Sequence, residues 1–541
     1  MVDVAADPVE VEVRTRTGEI VRADVYLPPG AGRRVPVLLA ASPYQKSLRP
    51  LPHVPIFPFV EYGPIQFYLD HGYAYVAMDV PGTGRSEGTW DPVSRAEGEA
   101  IHDMIEHVAA QEWCTGAVGM IGMSYYCWSQ WNTARTRPPH LKTIVAYDGA
   151  TDMYRDWMYQ GGIPSQFIST WTVGTVLCQH ALSGIDFDTG AKSDVLYQML
   201  SHTFDDEWQR RRSPFWELPE VTIPVLSVGA WGKGPLHLRG NFYGYERVAG
   251  PKQLLVVHPD TFTGAHQYFF DEDFHRDELL PWYDHHLKGT DNAVMDRPSV
   301  RFFVNGEGVY RDAPVWPPTD ATPTAFYLSG APSGVVTSLN DGTLTERPPT
   351  ANSDVTSWSY PDPEWEAGVT TFDEYGVPDH VARVTTFITA PLAQDREFTG
   401  HAMLLLHAST DQTDLDVIVK LTLLGADASS RPITVSRGWL RGSHRAEDPE
   451  LTSDMRPFHS HDRAEPLHPG EVYPLRIELL PMSFLARTGD RIRLEISNND
   501  SAIADAPMTH FYGRKVGTDT YHHDSRHPSC LSLHERPRDR R

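Results

Sequence analysis

Residues 9–27 alternate apolar and polar positions at a period of two, which predicts a hairpin turning near Thr17-Gly18. The next apolar runs, 35–41 and 73–80, are short and continuous, as strands buried on both faces are. Over residues 97–111 the spacing becomes helical, with Ile101, Met104, Ile105 and Val108 on one face. A third apolar strand is expected at 118–123 and a helix at 125–135, and strands at 143–147, 225–230 and 253–257 continue the series. Strands that alternate with helices predict a mostly parallel sheet covered on both faces. Residues 148–220 break the alternation with irregular helical stretches rich in Trp, Tyr and Met, which predicts a cap inserted between two strands. An amphipathic helix at 278–288 closes the domain.

From residue 298 the texture changes. Short alternating runs at 300–304, 324–328, 381–388, 402–408, 415–423, 472–479 and 491–497 are separated by Pro, Gly and Asp turns. That pattern predicts an antiparallel sandwich or jelly roll. The expected division is an α/β core from residues 1–147 and 222–295, a helical cap at 148–221, and an all-β domain at 296–541.

A chain of 541 residues exceeds what one hydrophobic core supports, in keeping with this division. Lys and Arg number 47 against 71 Asp and Glu, a net charge of −24. Such a field repels phosphate backbones and anionic lipid, so nucleic acid and membrane are poor partners and a small-molecule substrate is expected. Cys114, Cys127, Cys178 and Cys530 are too scattered for a disulfide framework or a metal knuckle. With no signal-like start and no span-length apolar run, a cytoplasmic location is expected. The pattern sets no oligomeric state.

The candidate chemistry centres on Gly122-Met123-Ser124-Tyr125-Tyr126. A serine between a buried strand and a helix sits on a strained turn that presents its hydroxyl above the sheet. The N–H of Tyr125 would then face a developing oxyanion at the helix N-terminus. The usual glycine two residues after such a serine is replaced by Tyr126.

Around this centre the chain resembles the cocaine esterase, α-amino-acid ester hydrolase and X-prolyl dipeptidyl peptidase family. The resemblance is carried by Ser42-Pro43-Tyr44-Gln45-Lys46, by Gly82-Thr83-Gly84-Arg85-Ser86-Glu87-Gly88 and by the stretch from Gln111-Glu112-Trp113 to Ser124-Tyr125. Downstream it is carried by Pro281-Trp282-Tyr283-Asp284-His285-His286-Leu287-Lys288-Gly289, Gly438-Trp439-Leu440-Arg441-Gly442-Ser443-His444-Arg445 and Gly489-Asp490-Arg491-Ile492-Arg493-Leu494. It implies an α/β-hydrolase fold with a cap and a C-terminal jelly roll, and hydrolysis or transfer of the acyl group of a small ester or amide through Ser124. It also implies that the Tyr44 hydroxyl is the second oxyanion donor. Pro81 stands where the family usually has arginine, and Asp103 fits a structural helix position.

Two family positions are altered. The triad acid should follow the strand at 225–230, and Lys233 stands there; the base should follow the strand at 253–257, and Phe262 stands there. His266, four residues on and after Gly264, is the preferred replacement base, expected on a loop, with His237 the other candidate. His258, at the strand end, is expected to be too deep. Asp148 or Asp260 could supply the acid, or the site could lack one. A site without an acid leaves a second class open, a protein that binds or rearranges a small molecule without an acyl-enzyme. Trp157, Tyr159, Phe167, Trp171 and Trp208 suggest an apolar pocket.

No cofactor or metal is expected. Asp411, Asp414 and Asp416 lack the rest of an EF-hand loop, Gly82-Thr83-Gly84 is no dinucleotide fingerprint, and His522, His523 and His527 read as a solvated strand.

Overall fold

In a computed structural model, the structure describes residues 7–30, 34–46, 61–182, 194–335, 338–379, 383–427, 432–505, 508–513 and 515–538. Residues 183–193 of the expected cap and 381–382 of one expected strand lie outside them. The chain divides into two compact units. One holds residues 1–157, 168–202 and 206–301; the other holds 158–167, 203–205 and 302–541.

The first unit is built on a twisted sheet. Its strands are β1 (Val9–Arg14), β2 (Ile20–Tyr26), β3 (Val35–Ser42), β4 (Ala74–Asp79), β5 (Cys114–Met120), β6 (Leu141–Tyr147), β7 (Val225–Ala230) and β8 (Lys252–Val257). They lie in the order β1-β2-β4-β3-β5-β6-β7-β8. The pairings β1–β2 and β2–β4 are antiparallel, and every pairing from β4 to β8 is parallel. The hairpin expected at the start is β1–β2, with Gly18 at φ +103° in its turn.

The helices follow the periodicity. Helix α1 (Arg95–Ala109) begins at Ser94, whose side chain accepts from the Glu97 N–H, and buries Ile101, Met104, Ile105 and Val108. Asp103 is on its outer face, in a 2.5 Å ion pair with Arg16. Helix α2 (Tyr125–Ala134) is buried along its whole length, which is why its sequence shows little amphipathic signal. Helix α3 (Leu280–Lys288) ends at Gly289, whose φ of +70° is the left-handed stop expected of glycine. The described residues of 148–182 and 194–224 carry π-helical and 3₁₀ turns and short helices. Strand β5 ends at Met120, three residues earlier than its apolar run, because residues 121–123 turn to deliver Ser124. Among the described residues no helix is long and apolar enough to cross a membrane.

The second unit is β-rich. Arg396–Thr410 pairs with Tyr473–Ala486 on one side and with Cys530–Arg536 on the other. Cys530–Arg536 pairs in turn with Thr322–Ser329. The sheet therefore closes on itself, leaving no free edge around the ring. Inward-facing residues such as Leu404, Leu406, Val417, Val419, Leu475, Ile477, Leu494 and Leu531 fill it. One pairing, Gly342–Thr345 with Thr385–Thr389, is parallel.

Candidate active site

Ser124 sits at φ +60° and ψ −119° between β5 and α2, in a region that non-glycine residues avoid at about 1–3 kcal/mol. Its surroundings hold it there. The Ser124 N–H donates to the Asp148 carbonyl at 2.9 Å, and the Ser124 carbonyl accepts from Cys127 and Trp128 in the first turn of α2. Gly122 precedes it at φ +130°, and a Cβ there would lie 2.3 Å from the Tyr126 Cβ, so only glycine fits. As the first residue of α2, Tyr125 has no intrahelical acceptor for its N–H.

Tyr44 follows β3. Its hydroxyl accepts from Trp171 Nε1 at 2.9 Å and interacts with the Ser124 side chain. Burial, reinforced by the nearby Glu61 carboxylate, raises the Tyr44 phenol well above its ordinary range, so it remains a protonated donor. Tyr125 is pinned by its own hydroxyl, which donates to Glu97 Oε2 at 2.7 Å. Burial pushes that carboxyl up to about 8. Trp171 stacks on Tyr125 with centroids 5.6 Å apart, and Trp128 and Trp157 pack on Trp171. Of the expected pocket aromatics, Trp157 and Trp171 join this cluster. Trp208 stacks on His202 instead, and Tyr159 and Phe167 belong to the second unit.

His266 is on a helix, Phe262–Phe269, not on a loop. Thr261 caps that helix by accepting from the Gly264 N–H, so Gly264 is a helical residue here rather than a hinge. The ring of His266 is buried. Its Nδ1 lies 3.0 Å from the Phe262 carbonyl one turn back, which only an Nδ1–H can satisfy. Its Nε2 lies 3.1 Å from Glu61 Oε1. Glu61 also reaches the nucleophile turn, its carbonyl accepting from the Met123 N–H at 2.7 Å, while its Oε2 is buried without a hydrogen-bond partner. A carboxylate other than Asp148 or Asp260 thus lies beside the imidazole, at Nε2 rather than at the Nδ1 that a triad acid holds. Sequence reasoning missed Glu61; the available signal was a lone carboxylate in the otherwise apolar run at 54–69.

Lys233 is buried and does more than vacate the acid position. Its Nζ lies 3.0 and 3.1 Å from the two His266 ring nitrogens and 3.4 Å from the centroid of Phe262. Burial lowers the ammonium to about 8, opposed by the Asp148 and Glu61 charges. Asp148 follows β6 at φ +45°, with Oδ1 accepting from the Ala230 N–H at 2.8 Å and Oδ2 buried without a hydrogen-bond partner. Burial pushes it up to about 7, with Lys233 pulling the other way. His237 is fully buried edge-on to Trp128, with no hydrogen-bond partner for either ring nitrogen. Burial first, then Lys233 and His266, hold it far below its ordinary range and therefore neutral. Asp260 and His258 are exposed; the expectation of a deeply placed His258 is thereby corrected, and it packs on Tyr268.

Asp148 gives a pH-dependent prediction. A carboxyl raised by folding contributes stability that is complete below its unfolded value of 3.8 and lost as pH rises through about 7. Asp148→Asn should therefore flatten the fall in thermal midpoint between about pH 4 and pH 7. Parallel wild-type and variant melting curves over that window would refute the assignment.

Two domain models match the chain. Residues 18–264 match the X-Pro dipeptidyl-peptidase (S15 family) domain, and residues 292–532 match the X-Pro dipeptidyl-peptidase C-terminal non-catalytic domain. The cocaine esterase of Rhodococcus sp. is 27% identical over 549 residues, covering 91% of this chain and 90% of that protein. A protein of Mycobacterium bovis named as a serine esterase is 26% identical over 584 residues, with the same coverage. Among solved structures, a CocE/NonD family hydrolase from Staphylococcus aureus superposes with a TM-score of 0.82 at 25% identity, covering 98% of this chain and 93% of its own. An α-amino-acid ester hydrolase shares the fold, with a TM-score of 0.77 at 18% identity over 99% of this chain and 97% of its own. The chain is thus an α/β-hydrolase-fold enzyme of the cocaine esterase and X-Pro dipeptidyl-peptidase family, a hydrolase followed by that family's C-terminal β domain.

Proposed function

We propose that the protein hydrolyses a small ester or amide through an acyl-enzyme on Ser124. The observation that carries this reading is the Ser124 backbone at φ +60° on the strand–helix turn, beside the Tyr44 phenol and the Tyr125 N–H at the first position of α2. Ser124 Oγ attacks the carbonyl, and the Tyr44 hydroxyl and Tyr125 N–H stabilise the oxyanion. His266 takes the proton at Nε2, because its Nδ1–H is committed to the Phe262 carbonyl. It later delivers that proton to the leaving group. Glu61 lies beside that same Nε2 and its charge balances the imidazolium that forms, whereas the acid of a conventional triad acts from Nδ1. The aromatic cluster around Trp171 favours an apolar acyl group.

The Lys233 cation on the imidazole supports a second reading, binding or rearrangement without an acyl-enzyme. A fluorophosphonate probe separates the two. Labelling at Ser124, found by mass spectrometry and absent in Ser124→Ala, is expected; folded protein that stays unlabelled would favour the second reading. The same proposal keeps 1–147 and 222–295 as core, 148–221 as cap and 296–541 as a jelly roll. The buried free thiols of Cys114 and Cys127 support a reducing, cytoplasmic setting.

A further inference from the structure

We propose that the loop between Gly517–His522 and Cys530–Arg536, two strands that both pair with Arg396–Thr410, is a divalent transition-metal site of the zinc class, with His522, Asp524 and His527 as ligands and His407 as the fourth. The side-chain donor atoms of His522, Asp524 and His527 all lie within 4.8 Å of one another. Metal–nitrogen and metal–oxygen bonds of about 2.0–2.2 Å put tetrahedral ligand atoms roughly 3.4 Å apart, so closure onto an ion needs side-chain rotation only.

The backbone arranges these groups before any ion arrives. His407 and His522 are directly opposed across the antiparallel ladder, so their side chains leave the same face of the sheet. Asp524 Oδ1 accepts from the Arg526 and His527 N–H groups at 2.8 and 3.0 Å, which folds the loop so that His527 returns over the strand end. The His527 ring then stands 5.5 Å from that of His522 and 5.6 Å from that of His407. Ser529 fastens the loop base by donating to the His522 carbonyl and accepting from the His407 N–H at 2.8 Å.

Three features point to an ion rather than to packed surface histidines. His407 Nδ1 is buried with no hydrogen-bond partner, the state of a donor atom awaiting a ligand. One ring nitrogen of His522, Nε2, is 2.9 Å from Ser409 Oγ, the outer hydrogen bond that orients a metal-bound imidazole. The neighbouring His523 takes no part: strand alternation turns it to the other face, where it meets Thr356 at 3.0 Å and Asp354 at 3.1 Å. Three imidazoles and a carboxylate suit zinc, and four protein ligands make a closed, structural site that ties the loop to Arg396–Thr410. The expectation that His522 and His527 belong to a solvated strand is replaced by this reading.

Chelator-treated full-length protein titrated with Zn²⁺ in a calorimeter tests it, with Co²⁺ visible absorption reporting coordination geometry. One equivalent bound, a tetrahedral Co²⁺ spectrum and a rise in thermal midpoint are expected. His527→Gln and Asp524→Asn should each weaken binding by more than the roughly 10–100-fold that losing an outer hydrogen-bond partner of a ligand costs. His285→Ala, which removes an imidazole on helix α3 of the first unit, should leave it unchanged. Melting curves of the metal-free variants show that they fold. The proposal is overturned if no equivalent binds, or if His527→Gln and Asp524→Asn bind as wild type.

Discussion

His266→Ala is expected to lower ester turnover by at least about 10⁴-fold and to abolish fluorophosphonate labelling of Ser124, with most of the loss in kcat. The size follows from the lack of a substitute. His237, the other imidazole of the site, is buried without hydrogen-bond partners and is held neutral by burial and by Lys233. Asp260 is on the surface. The substitution should be tolerated locally, because His266 is in the middle of the capped helix Phe262–Phe269 and alanine is the best helix former. It does leave Glu61 without its imidazole contact. His266→Gln is therefore the companion variant: an amide fills the space and can donate to the Phe262 carbonyl, yet it cannot carry a proton. Both variants should unfold cooperatively while both lose turnover. Turnover above about a tenth of wild type in folded His266→Gln would remove His266 from the mechanism.

Elements whose cue is local were legible in the sequence. The strands at 35–41 and 225–230 and helix α1 are marked by continuous apolar runs and by 3.6-residue spacing, signals that need no knowledge of the rest of the fold. Ser124 was legible because a strand, a glycine and a helix bracket it within a few residues. The remainder of the site was less so. His266 carried no mark of being helical: Thr261 caps from just outside an eight-residue helix, and Gly264 reads as a breaker in sequence. Glu61 left only the faint mark of a lone carboxylate in an apolar run, because what ties it to the site is tertiary, a contact with a residue 205 positions away. Lys233 could be seen as a missing aspartate; its stacking over Phe262 could not. The two substituted family positions, Lys233 and Phe262, touch each other at 3.4 Å. They form one replaced unit rather than two separate losses.

That unit sets the last expectation, an alkaline activation. The Lys233 ammonium lies 3.0 Å from the imidazole that takes up a proton in the proposed mechanism, so its charge would oppose that step. Burial lowers this ammonium to about 8, below its unfolded 10.5. As pH rises through about 8 the cation is lost, and with it the charge that opposes the step. Ester kcat/KM should therefore climb by about tenfold or more across that range, since each 1.4 kcal/mol of removed opposition is a factor of ten. Stability moves in the same direction: a lysine depressed by folding contributes fully above about 10.5 and loses that contribution as pH falls through about 8. Lys233→Met removes the charge while keeping an unbranched apolar stem on Phe262, and replacing a buried charge by a well-packed apolar group is often neutral or stabilising. The variant should be as fast near neutral pH as the wild type is in alkali, with the step near pH 8 gone. Lys233→Asp, which restores the family residue on paper, should instead destabilise the fold by placing a third buried carboxylate near Asp148 and Glu61, both of which act electrostatically on this position. If Lys233→Met keeps the alkaline step, the titrating group is not Lys233, and the cation has no part in the pH dependence of turnover.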